Sequence, residues 1–86
     1  MQPILPSHIV SSLAGHDRGR LYRVLRVEGE YAFLADGKVR RMKNPKRKKA
    51  KHCVYAGESE SPVTDREIRE SLAAFRAGRE YHRGGR

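Results

Sequence analysis

One cysteine, Cys53, stands in a chain of 86 residues, so no internal disulfide can staple the fold, and a lone thiol fits a reducing, cytoplasmic setting. No apolar run approaches the roughly 20 residues needed to span a bilayer, and the basic segments carry no apolar helical face, so a membrane is not the expected partner. The start, Met1-Gln2-Pro3-Ile4-Leu5-Pro6, has neither a basic region nor a long apolar core, and no signal peptide is expected there. Hydrophobic residues make up 37% of the sequence, enough for one thin core in one domain and too little to enclose a deep substrate cavity.

The residues that carry chemistry are also missing. His8, His16, His52, His82 and Cys53 share no ligand spacing, so neither a metal nor a cofactor is expected. His52 and Cys53 are neighbours on an expected strand, where they point to opposite faces and cannot act as base and nucleophile. Gly15-His16-Asp17-Arg18-Gly19-Arg20 lacks the four-residue gap and the Gly-Lys-Ser/Thr end of a phosphate-binding loop. Asp17 and Asp36 both fall in turns, where side-chain acceptance of backbone hydrogen bonds accounts for them. With no paired carboxylates in a cleft, no enzyme and no small-molecule substrate is expected.

What is abundant is positive charge. Lys and Arg number 19 against 10 Asp and Glu, a formal net charge of +9. The excess lies in residues 1–53, with 13 basic and 4 acidic side chains, while residues 54–86 hold 6 of each. Between Lys38 and His52 stand Lys38, Arg40, Arg41, Lys43, Lys46, Arg47, Lys48, Lys49 and Lys51 with no acid among them. A solvated face normally interleaves both signs because like charges repel, so this run argues for a polyanionic partner. Arg18 and Arg20 flank Gly19 in an earlier loop, where planar guanidinium groups could grip phosphates or stack on exposed bases.

Apolar residues from His8 to Val54 alternate in short stretches separated by glycine-bearing turns, which predicts strands over Ile9–Leu13, Leu21–Val27, Tyr31–Ala35, Val39–Met42 and Cys53–Ala56. Asp36-Gly37 reads as the tight turn between the third and fourth. Five short strands at this spacing point to a small barrel or sandwich. Thr64 followed by Glu67, with Val63 and Ile68 placed as a hydrophobic staple, starts a helix that Gly78 stops. Ile68, Leu72 and Phe75 form a narrow apolar stripe that could dock on the barrel or on a protein partner. The division is therefore 1–56 for the barrel, 57–63 for a linker, 64–78 for the helix and 79–86 for a tail expected to be disordered.

The stretch from Ile9 to Leu25, alternating apolar residues around Gly15, resembles a KOW motif. Residues 6–53 as a whole resemble the bacterial KOW-domain RNA-binding proteins related to the eukaryotic and archaeal ribosomal proteins L14e, L6e and L27e. The resemblance is carried by the loop Ala14-Gly15-His16-Asp17-Arg18-Gly19, the turn Asp36-Gly37-Lys38 and the run Asn44-Pro45-Lys46-Arg47-Lys48 leading to His52. It implies a mainly β, SH3-like five-stranded barrel, followed here by one C-terminal α-helix, that binds RNA, most often ribosomal RNA, in translation. On that view Arg18, Arg20, Lys38, Arg40, Arg41, Lys43, Lys46, Arg47, Lys48, Lys49, Lys51 and His52 meet RNA, while Gly15, Gly19, Asn44 and Pro45 shape the loops. Without a helix-turn-helix, zinc-finger or basic-zipper pattern, nothing is available to read a DNA major groove. Tyr22, Tyr31, Phe33 and Tyr55 could stack on unpaired bases, although the alternation of their strands places them in the core by default. Two other readings stay open: a KOW protein-interaction module of the transcription-elongation type, and a basic protein that coats nucleic acid without preference.

Overall fold

The computed structural model describes residues 3–13, 15, 18–59 and 63–78. Five antiparallel strands, β1 (His8–Ser12), β2 (Leu21–Glu28), β3 (Tyr31–Ala35), β4 (Lys46–Lys49) and β5 (Cys53–Glu58), form one open sheet in the order β4-β3-β2-β1-β5. A single 3-10 turn, Ala50–His52, joins β4 to β5, and helix α1 (Asp65–Arg76) follows. The chain is thus mainly β with one C-terminal helix, and β4 and β5 are the edges of a sheet that the hydrogen-bond ladder does not close.

Four strands and the helix lie where apolar alternation and capping residues put them, but the fourth strand does not. Residues 39–42 are not extended, and Val39 is 71% exposed. The partner of β3 is the cationic run itself, with Phe33 opposite Arg47 and Tyr31 opposite Lys49. An edge strand needs backbone pairing on one side only, and lysine and arginine can lay aliphatic stems along the sheet while their charged ends stay wet. The two-residue hairpin turn falls at Gly29-Glu30, where Gly29 takes φ +60° and Glu28 pairs with Tyr31, and not at Asp36-Gly37. β5 continues to Glu58, and Ser59 N donates to Ser7 O at 3.1 Å, so pairing runs into the expected 57–63 linker. The tail from Arg79, like Ala14, His16, Asp17 and His82, lies outside the described residues.

Apolar side chains occupy both faces of the sheet. On one, Val10, Tyr22, Val24, Ala32, Leu34 and Cys53 pack together with Ile4 and Val27 beside them. On the other, Ile9 and Ala35 meet Ile68 and Leu72 of α1, flanked by Leu21, Leu25, Met42, Ala56 and Phe75. A bulge between Val24 and Arg26 shifts the alternation of β2, which is why Leu25 lies with the helix side and Val27 with the opposite side.

Helix α1 begins where Thr64 Oγ1 accepts a hydrogen bond from Glu67 N at 3.1 Å, with Asp65 and Glu67 in the first turn facing the positive end of the helix dipole. It ends at Gly78, whose φ of +79° allows its N–H to reach Phe75 O. Ile68 and Leu72 are 0% and 1% exposed against the sheet, and Val63 remains on the surface. The phenyl ring of Phe75 lies over Gly57, where a Cβ would come within 2.6 Å of it. The apolar stripe of Ile68, Leu72 and Phe75 is therefore spent on the sheet of the same chain. As a protein-contact surface it is corrected: two of its three residues are buried, and no partner can reach them without unfolding the helix contact.

Candidate nucleic-acid interface

The cations predicted to meet RNA fall into three groups. Arg18 and Arg20 are exposed in the loop between β1 and β2. That loop is pinned at its base by Gly19 N donating to Ser12 O and Ser12 N donating to Arg20 O. Gly15 and Gly19 have φ of +81° and +85°, and a Cβ on Gly19 would meet nothing within 4 Å. Gly19 therefore serves the turn geometry and not a close packing contact.

The second group, Lys38, Arg40, Arg41 and Lys43, lies on the loop between β3 and β4. Its backbone is held by two carboxylates. Asp36 Oδ1 accepts from Lys38 N and Arg40 N, both at 2.9 Å, and Asp36 N in turn donates to Arg40 O. Asp65, at the start of α1, accepts from Met42 N at 2.8 Å. From the helix, Arg69 also donates to Gly37 O at 3.0 Å. Gly37 is buried there with φ +80°, and a Cβ on it would fall on the Asp65 carbonyl oxygen. Asn44 N donates to Arg41 O, closing the loop just before Pro45. The helix thus acts as a brace for a cationic loop, with acids consumed in holding backbone N–H groups.

The third group is β4 and the turn after it. Alternation sends Lys46 and Lys48 to the side of Leu34 and Ala32, where both are half-buried, while Arg47 and Lys49 lie on the opposite side across from Phe33 and Tyr31. Lys51 is exposed and His52 half-buried in the 3-10 turn, which is anchored by Ala50 N donating to Glu30 O and Leu13 N donating to His52 O. The β1–β2 and β3–β4 loops leave the sheet at the same end, because Ser11 pairs with Leu21 and Arg23 with Ala35, so the first two groups share that end.

Sequence reasoning missed Arg26. Its guanidinium lies 4.0 Å from the centroid of the Phe33 ring, and its Nε is 2.6 Å from Glu28 Oε2. Arg47 lies in the same way 4.6 Å from the Tyr31 ring. Both rings are half-buried on one face of β3, whereas Tyr22 is in the core and Tyr55 packs edge-on against His8 at 4.8 Å. The available signal was the i, i+2 spacing of Tyr31 and Phe33, which puts both on one face; the pairing with Arg26 depends on the β2 bulge and has no local signature.

Among the described residues, Arg23 and Tyr55 are displaced from their ordinary range. Burial lowers Arg23, which is 2% exposed within the sheet. The hydrogen bond from Tyr55 Oη to Glu58 raises the phenol. Neither lies among the exposed cations. Among the described residues no cluster of His, Cys, Asp and Glu could hold a metal ion, and no helix is long and apolar enough to cross a membrane.

No family model and no curated protein matches this chain.

Proposed function

We propose that this protein binds RNA, most often ribosomal RNA, as a KOW-type component or factor of the translation machinery. The observation that carries the reading is the acid-free run from Lys38 to Lys51, of which Lys38, Arg41, Lys43, Arg47 and Lys51 are exposed. Asp36 and Asp65 hold the backbone of the 38–42 loop, pairing with β3 holds Arg47, and the anchored 3-10 turn carries Lys51, so the charges are presented in a set arrangement and not on a loose tail. Fixed cations lose less entropy on binding phosphates, and each contact releases condensed counterions.

An SH3-like barrel is the architecture that best accommodates the chain path. In a flat sheet β4 and β5 would stand four strand spacings apart, about 19 Å. Four residue steps from Lys49 to Cys53 reach at most about 14 Å, and less in a 3-10 turn, so the sheet must curl to bring its edges together. Burial of Val10, Ala32 and Leu34 on the face away from α1 supports the same curl. The protein-interaction reading is weaker, since the stripe on which it rested packs against the sheet.

The test is co-sedimentation with ribosomal subunits at low and high salt, paired with anisotropy titrations of ribosomal RNA fragments and duplex DNA. The expected result is comigration with one subunit and an RNA affinity that falls with salt with a log–log slope of about −0.7 per phosphate contact on single strands. Charge reversal of Lys38, Arg41 and Lys43 together should lower affinity by at least about tenfold and flatten that slope. A protein that stays at the top of the gradient at low salt and binds no RNA fragment overturns the reading. Equal affinity for duplex DNA would replace it with nonselective coating.

A further inference from the structure

We propose that the face of β3 bearing Tyr31 and Phe33 is a stacking platform for unpaired bases, so that the RNA bound is single-stranded at this surface; this deepens the RNA-binding reading and rests on it. Three observations lead there. The two rings lie on one side of β3, two residues apart, and each is only partly buried instead of being sealed by the helix that covers Ala35 further along the same side. Each ring has a guanidinium at stacking distance, Arg26 at 4.0 Å from Phe33 and Arg47 at 4.6 Å from Tyr31. The flanking strand supplies cations directly across from both rings, Arg47 opposite Phe33 and Lys49 opposite Tyr31.

The spacing selects the conformation of the nucleic acid. Two strand steps separate the rings by about 6.7 Å. Bases in a stacked strand rise about 3.4 Å, so adjacent bases reach both rings only when the strand is unstacked. A duplex offers no such freedom. Bases splayed from a single strand can lie on aromatic rings or on the guanidinium planes already seated there, while the phosphates run along β4 past Arg47 and Lys49. The ordinary role of such pairs, cross-strand cation–π contacts that steady an edge, uses the same geometry but asks nothing of RNA. Glu28 tethers Arg26, and a base on Phe33 has to be accommodated beside or above that ion pair.

The deciding experiment uses the full chain with labelled unpaired oligoribonucleotides, the same sequences annealed to their complements, and photoreactive uridine crosslinking of the unmodified protein. Expected are tighter binding of the unpaired strand, crosslinks on the peptide holding Tyr31 and Phe33, and a loss of about tenfold or more for the unpaired strand in Tyr31→Leu/Phe33→Leu with duplex affinity unchanged. Crosslinks confined to the loop residues 38–45, or equal binding of paired and unpaired strands, would overturn the platform while leaving RNA binding intact. Absence of binding to either form would overturn both. Crosslinking of the unmodified protein decides the matter even if the double substitution fails to fold.

Discussion

Along one side of β3, Ala35 is sealed by Ile68 and Leu72 of α1, whereas Phe33 and Tyr31 are roofed by the guanidinium groups of Arg26 and Arg47. The first cover is apolar, dry and continuous with the core. The second is charged, wet and removable. A helix buys stability by excluding water from its half of the face; arginines shield aromatic rings while leaving them within reach of solvent and of anything that competes for a π-surface. That contrast separates the part of this small sheet that holds the fold from the part free to work.

The contrast is broken most severely at Leu72. Leu72→Ala removes a side chain that is 1% exposed between the helix and the sheet, and should cost about 3 kcal/mol in urea denaturation. A loss below about 1 kcal/mol would mean that the helix is a loosely attached appendage and that its half of the face is no different from the arginine-covered half.

Gly37→Ala probes the contact between the covering helix and the cationic loop that follows β3. The residue sits at φ +80° with its Cβ position on the Asp65 carbonyl, so alanine must both enter the left-handed region and push the helix from the loop. About 2 kcal/mol of stability should be lost. Because no charge changes, any accompanying fall in RNA affinity in the anisotropy titration reports the positioning of Lys38, Arg40, Arg41 and Lys43, and not their number. Unchanged affinity at full folding would show that the cations act as a diffuse cloud, and the brace formed by Asp65 and Arg69 would then matter to the fold alone.

Most of the scaffold was legible before the structure, for reasons visible in particular residues. Alternating Ile9, Leu21, Leu25 and Leu34 marked strands, and Thr64, Glu67 and Gly78 marked both ends of the helix. The fourth strand was misplaced because apolar Val39 and Met42 offered a better pattern than Lys46–Lys49, which has no apolar residue at all. Edge pairing is a property of the neighbour: β3 needed a partner, and the run with extended backbone past Pro45 supplied it. Asp36-Gly37 misled for a related reason. The Asp36 carboxylate captures Lys38 N and Arg40 N and opens a wide loop, where a two-residue turn would have placed the cations back on the sheet. The exposed cations of the 38–51 run were readable from composition, while Arg26 over Phe33 came from a bulge that sequence alone does not announce.

The smallest expected effect sharpens the comparison best. Arg26 is 53% exposed at its side chain and bonded to Glu28, so Arg26→Ala forfeits a solvent-screened ion pair and a cation–π contact and should cost only about 0.5 kcal/mol. The cost should shrink as salt is raised, because exposed charges are screened within about a Debye length, whereas the cost of Leu72→Ala should not shrink in the same way. Arg26→Leu distinguishes the two kinds of cover directly. If the ring needs nothing but shielding, leucine replaces arginine with no loss of stability and no salt dependence. If the guanidinium itself is what the surface offers, leucine keeps the fold and weakens the binding of unpaired RNA, which ties the exposed half of β3 to a partner through the one chemical property that the helix-covered half lacks.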